Sequence, residues 1–135
     1  MKVYCISEFK EAFEKLSLKN PYRTLERDII DYFFDKTVAD LRSGVLLNNN
    51  YNEPYIKKRL NGRGGFRVYY LLIIKNDCLY LMYLHPKAGP DGADNIKDSF
   101  KAEIYKTVLK CIAGGDIFEM VLTEKGNSIA FKKLS

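Results

Sequence analysis

Residues 55–87 read YIKKRLNGRGGFRVYYLLIIKNDCLYLMYLHPK, and this stretch decides the fold. It holds three runs rich in β-branched and aromatic side chains, Tyr55 to Leu60, Phe66 to Lys75 and Cys78 to His85. Such residues suit a pleated, partly buried surface. The first connection is Asn61-Gly62-Arg63-Gly64-Gly65, and the second is the pair Asn76-Asp77, short enough for a two-residue hairpin turn. Connections this short pair consecutive strands antiparallel, so a three-stranded meander is expected with the Phe66 run in its middle. Pro86 stops the last strand because it brings no N–H to a ladder. Ala88-Gly89-Pro90-Asp91-Gly92 then reads as a loop.

Upstream of the meander the apolar period changes from two to nearly four. Lys2 to Ile6 reads as a short first strand, and Ser7 as the cap of a first helix with Phe9, Ala12, Phe13 and Leu16 on one face. Asn20-Pro21 marks the start of a second helix, with Leu25, Ile29, Tyr32 and Phe33 turned inward and a further turn around Val38 and Leu41. Two amphipathic helices before the long strands predict a helical hairpin lying on a sheet. Ser43-Gly44 and Asn48-Asn49-Asn50 mark the loop between the two parts.

Downstream, Asn95 is placed to cap a third helix whose inner face carries Phe100, Ile104, Val108 and Ile112, with Gly114-Gly115 at its end. Ile117 to Leu122 and Ile129 to Lys133 read as a terminal hairpin around Lys125-Gly126-Asn127. The expected fold class is therefore α+β, one domain over residues 1–135, with 116–135 as a C-terminal hairpin extension.

A chain of 135 residues buries a core without disulfide or metal staples. Its three cysteines, Cys5, Cys78 and Cys111, are odd in number, widely spaced and set among apolar neighbours, which suits reduced thiols in a core. With a single histidine and no C-x-x-C, the chain offers few ligands at metal spacing, and neither metal nor cofactor is expected. The opening residues lack the pattern of a signal peptide. The longest apolar runs, residues 68–74 and 78–84, fall short of the ~20 residues that span a bilayer as a helix. A cytosolic protein with no membrane partner is expected.

The net charge of +5 is concentrated in one place. Lys57, Lys58, Arg59, Arg63, Arg67 and Lys75 fall between Pro54 and Asn76 with no acid among them, and the other 16 of the 22 cations face all 17 acids. A basic patch on an otherwise balanced chain is the footprint of a polyanion binder. The competing explanation is a strand kept from edge pairing by its own lysines.

Alternation separates the cations. Tyr55, Lys57 and Arg59 share one face of their strand, while Ile56, Lys58 and Leu60 share the other. With the Arg67 strand in the middle, Lys57 and Arg59 would flank Arg67 on one side, and His85 and Lys87 on the other. Tyr83 shares the His85 face. This set suits cleavage of RNA without a metal, which needs a base for a 2′-hydroxyl, cations for a phosphorane and an acid for the leaving oxygen. The planar fork of Arg67 can hold two phosphate oxygens. Lys57 serves as base if cations such as Arg59 depress its pKa, and His85 is a second proton-transfer candidate. Equally, a histidine before proline at a strand end can be a turn residue. Lys58 and Arg63 suit general attraction of RNA, and Tyr83, on the His85 face, is a further RNA contact and a proton-transfer candidate.

These strings resemble a known family. Ile56-Lys57-Lys58-Arg59-Leu60, then Gly64-Gly65-Phe66-Arg67-Val68-Tyr69-Tyr70, then Leu79 through Lys87 are similar to the core of RelE/ParE superfamily toxins, HigB-like members above all. The resemblance covers residues 55–112 by motif and the leading helices by order of elements. It implies a toxin of a type II toxin-antitoxin pair that cuts mRNA, commonly on the ribosome, and is silenced by a cognate antitoxin protein. It also implies phosphate-contacting and catalytic roles for Lys57, Arg59, Arg67 and Lys87. Tyr105 lies in the region where some relatives carry a tyrosine of the last helix. Two other readings share the fold: a ParE-like gyrase inhibitor, and a non-catalytic RNA-binding or interaction domain.

Overall fold

The computed structural model describes residues 1–60, 65–87 and 96–134. Among them the order of elements is β1 (Lys2–Cys5), α1 (Ser7–Ser17), α2 (Leu25–Phe33), α3 (Val38–Leu41), β2 (Val45–Leu46), β3 (Tyr55–Leu60), β4 (Phe66–Ile73), β5 (Cys78–Pro86), α4 (Asp98–Gly114), β6 (Phe118–Leu122) and β7 (Ile129–Lys133). The fold is mixed α+β. The strands form one sheet in the order β2-β3-β4-β5-β1-β6-β7, antiparallel throughout except where β1 runs parallel to β5. The meander β3-β4-β5 stands as the sequence predicts. The C-terminal hairpin β6-β7 joins the same sheet through β1.

The sheet is covered on both faces, which is why β4 and β5 are apolar at nearly every position rather than at alternate ones. Val68, Tyr70 and Leu72 of β4 face the helical hairpin and pack with Phe9, Phe13, Leu25, Ile29 and Phe33. Tyr69 and Leu71 face the other way, against Ile104 and Val108 of α4. Phe33 meets Tyr70 edge to face at 5.2 Å, and the Tyr70 hydroxyl reaches the Leu41 carbonyl at 2.8 Å, tying α2 and the short α3 to the sheet. Gly44, at φ +124°, lies where a Cβ would come within 2.8 Å of Ile56 Cγ2 and of the Lys57 carbonyl oxygen. That region of backbone space is essentially reserved for glycine. Gly44 thus lets β2 close on β3 beside Lys57.

Several local expectations are corrected. The N-cap of α1 is Ile6, with Ser7 the first helical residue and no side-chain cap. Asn20-Pro21 opens a 3₁₀ turn, Asn20–Tyr22, closed by the Arg23 N–H on the Asn20 carbonyl, and α2 begins only at Leu25. The fixed φ of proline suits either kind of turn, so the signal marked a turn rather than the helix. Asn76-Asp77 is not a two-residue turn: β4 ends at Ile73, Ile74–Asn76 form a 3₁₀ turn, and only Asp77 takes positive φ. A type I′ turn needs positive φ at both positions, and without glycine the chain takes a longer loop. All three cysteines are free, but only Cys5 is fully buried. In α4 the N-cap is Lys97, and Phe100 is exposed rather than on the inner face with Ile104 and Val108. Asn95, Arg63 and the loop 88–92 lie outside the described residues. Among the described residues no helix is long and apolar enough to cross a membrane.

Candidate nucleic-acid interface

The register of the meander sets side chains in three cross-strand rows on the α4 face. Tyr55, Leu71 and Tyr80 form the first row, Lys57, Tyr69 and Tyr83 the second, and Arg59, Arg67 and His85 the third. A β-bulge creates the last two. Opposite Tyr69 and Tyr70 the pairing jumps from Tyr83 to Leu81, so Met82 is an extra residue on β5. Continued without it, the alternation that pairs Leu71 with Tyr80 would have set Met82 against Tyr69 and Leu84 against Arg67. Tyr83 and His85 would then face the helical hairpin. A bulge re-aims side chains in this way by inserting one residue into one strand.

The character of the rows changes along the sheet. The first is aromatic and apolar and lies under α4, where Tyr55 stacks on Tyr105 at 5.2 Å and its hydroxyl donates to the Lys101 carbonyl at 3.1 Å. The second and third carry the cations. Lys57 and Arg67 are half-buried and Arg59 is exposed. Lys101, from the first turns of α4, pairs with Asp98 at 3.5 Å and also acts electrostatically on Lys57. Lys87 lies two residues past His85, just beyond Pro86 at the end of β5, its backbone N–H on the Gly65 carbonyl at 3.0 Å.

Tyr69 and His85 form a buried polar couple beneath these cations. The Tyr69 hydroxyl lies 3.1 Å from His85 Nε2, and His85 Nδ1 lies 2.9 Å from the Pro86 carbonyl oxygen. A carbonyl only accepts, so Nδ1 carries the hydrogen and Nε2 accepts from Tyr69. The Ile96 backbone N–H in turn donates to the Tyr69 oxygen. Burial lowers the His85 pKa below 6.5, and the nearby charges of Arg67 and Lys57 add to that. His85 is therefore a neutral, buried residue with both ring nitrogens engaged. Its Nε2 contact holds the Tyr69 hydroxyl in place.

This burial has a sign that can be measured. The chain has one histidine. Unfolded, it takes a proton near pH 6.5, whereas folded it resists protonation, so its contribution to stability is present above that pH and lost as pH falls below it. Urea denaturation should show stability declining as pH falls below 6.5, and His85→Gln should flatten that decline. Equal slopes in the two proteins would contradict the assignment.

The Lys57 pKa is lowered first by burial and then by Lys101 and Arg67. Sequence reasoning assigned the depression to Arg59 and its neighbours; the cations that act on Lys57 are Arg67, diagonal to it in the next row, and Lys101, from a helix remote in sequence. Lys58 lies on the opposite face, its ammonium 5.8 Å from the centre of the Tyr32 ring on α2. It is not brought together with Lys57, Arg59 and Arg67. Tyr83 is half-buried and meets Phe100 edge to face at 5.0 Å.

Lys101 is a cation the sequence did not single out, and Phe100 is a residue it placed in the core. Lys101 had a weak signal, being a cation one position from an apolar helical stripe. Among the described residues no group of three or more His, Cys, Asp or Glu side chains is placed to hold a metal ion. The arrangement offers phosphate recognition by several cations, with one amine shifted toward its neutral form. Comparisons with protein-family models, with curated proteins and with solved structures find no match for this chain.

Proposed function

We propose that the protein is a RelE-like toxin, an endoribonuclease that cuts mRNA on the ribosome and is held in check by a cognate antitoxin. The observation that carries this reading is the set of cross-strand rows, which gather Lys57, Arg59 and Arg67 on one sheet face beside Lys101. The order of elements supports it too, with a helical hairpin on one face of an antiparallel meander and the last long helix on the other.

The reaction is transesterification within the RNA. Lys57, in its neutral form, takes the proton of a 2′-hydroxyl, and the 2′-oxygen bonds to the adjacent phosphorus. The phosphorus–O5′ bond breaks, the leaving oxygen takes a proton from water, and the hydroxide so formed takes back the proton held by Lys57. The products are a 2′,3′-cyclic phosphate and a 5′-hydroxyl. Arg67 holds two equatorial oxygens of the phosphorane, and Arg59 and Lys87 add positive charge from either side. Tyr69, fixed by His85 and Ile96, forms the rigid floor between Lys57 and Tyr83.

The test sets an RNA gel beside a supercoiling assay. Added to a translating extract, the protein should shorten message within codons and leave DNA gyrase active. Inhibited supercoiling with intact message would instead identify a ParE-like gyrase inhibitor. RNA binding with intact message and active gyrase would leave a non-catalytic binding domain.

A further inference from the structure

Six large apolar side chains are exposed among the described residues; two adjoin the cationic rows, Val45, which pairs across the strands with Lys57, and Phe100, 36% exposed, the one of the two with an aromatic ring. It begins the stripe that Ile104 and Val108 continue at spacings of four, but it projects past the first row of the sheet onto Tyr83. The two rings meet at 75° with centroids 5.0 Å apart. In an edge-to-face pair each ring keeps at least one of its faces clear of its partner. Lys101 follows directly, and Tyr83 shares its row with Tyr69 and Lys57. Neighbouring strands lie about 4.8 Å apart, so Tyr83 stands roughly 10 Å from the Lys57 strand. A single nucleotide with its base turned outward spans that distance.

The geometry points to Phe100, backed by Tyr83, as a nucleobase-stacking platform for single-stranded RNA, seating the base next to the phosphate that Lys57 and Arg67 hold. The inference rests on the reading of the cationic face as an RNA site and adds to it the part that senses bases. Aromatic stacking accepts any base, because each has a π face. It also requires an unstacked base, which single strands offer and an A-form duplex does not. The platform therefore selects strand state rather than sequence.

The experiment measures fluorescence anisotropy of the full chain with a labelled 2′-O-methyl oligoribonucleotide, which lacks the nucleophile, and with an abasic ribose-phosphate oligomer of equal length. Phe100→Ala should weaken binding of the base-bearing strand by about 5- to 100-fold, and Phe100→Trp should keep it. On the abasic oligomer Phe100→Ala should bind as the wild type does. The salt dependence should be unchanged, since phosphate contacts remain. A thermal melt of Phe100→Ala matching the wild type shows that the fold survives.

Equal binding of the base-bearing strand by Phe100→Ala and wild type overturns the platform. So does a loss of equal size on the abasic oligomer, or equal affinity for duplex RNA. If Arg67→Ala weakens binding while Phe100→Ala does not, the platform fails and the RNA site stands. A wild-type protein that binds neither oligomer overturns both.

Discussion

Arg67→Ala slows RNA cleavage by about 10²- to 10³-fold, the loss typical when one preorganised stabiliser of transition-state charge is removed. Arg67 stands between Arg59 and His85 in the third row and is half-buried, so part of its side chain is held out of solvent. The substitution has a second effect with a definite sign. Arg67 is one of the charges that lower the Lys57 pKa. Its removal lets that pKa rise, less neutral amine is present at a given pH, and the rising, acid-side limb of the pH–rate profile moves to higher pH. Arg67→Lys keeps the charge but not the fork, so it should restore the position of the limb more fully than the rate. Single-turnover rates across pH, with a melting curve for each variant, check both effects. A residue that served only the fold would lower the melting temperature and leave the limb in place.

Phe33→Ala costs about 3–5 kcal/mol of stability, with a fall in melting temperature on the order of 10 °C or more. The ring is 1% exposed, meets Tyr70 edge to face and lies 4.8 Å from the Tyr32 ring. Its loss opens a cavity between α2 and β4, in a region held by the Tyr70 hydroxyl on the carbonyls of Leu41 and Ser43. Neighbours pinned by hydrogen bonds collapse poorly into a cavity, which favours the upper end of that range. Phe33 belongs to the core under the helical hairpin, on the sheet face opposite Lys57 and Arg67. Well below the new melting temperature the cleavage rate per folded molecule should therefore match the wild type. Circular dichroism melts and rates at low temperature separate the two quantities.

The two substitutions divide the molecule as its sequence does. The meander was legible because its strands are rich in β-formers with short connections, and the helices because Phe9, Phe13 and Leu16, then Leu25, Ile29 and Phe33, keep one face. Alternation alone separated Lys57 and Arg59 from Lys58, and the register bears that separation out.

What stayed hidden was set by tertiary context. β1 is four residues long, and nothing in Lys2–Cys5 announces that it inserts between β5 and β6, parallel to one and antiparallel to the other. The bulge at Met82 has no glycine to mark it, yet it decides that Tyr83 and His85 face α4. Phe100 shares the period of a buried stripe and lies exposed because the sheet beneath it has changed from the apolar row to the polar ones. The His85 couple was illegible for a similar reason: its partner Tyr69 lies 16 residues away, and its burial depends on the packing around both rings.

The most direct test of the cationic face as a nuclease is the chemistry of the cut ends. A defined mRNA is programmed into a translating extract with the purified protein, and the same message is made with a 2′-deoxynucleotide on the 5′ side of the mapped cleavage position. Cutting of the all-ribose message should leave a 5′-hydroxyl and a 2′,3′-cyclic phosphate, and no cutting should occur at the 2′-deoxy position. Cleavage at the deoxy position, products ending in a 5′-phosphate, or a message that stays intact would contradict this chemistry.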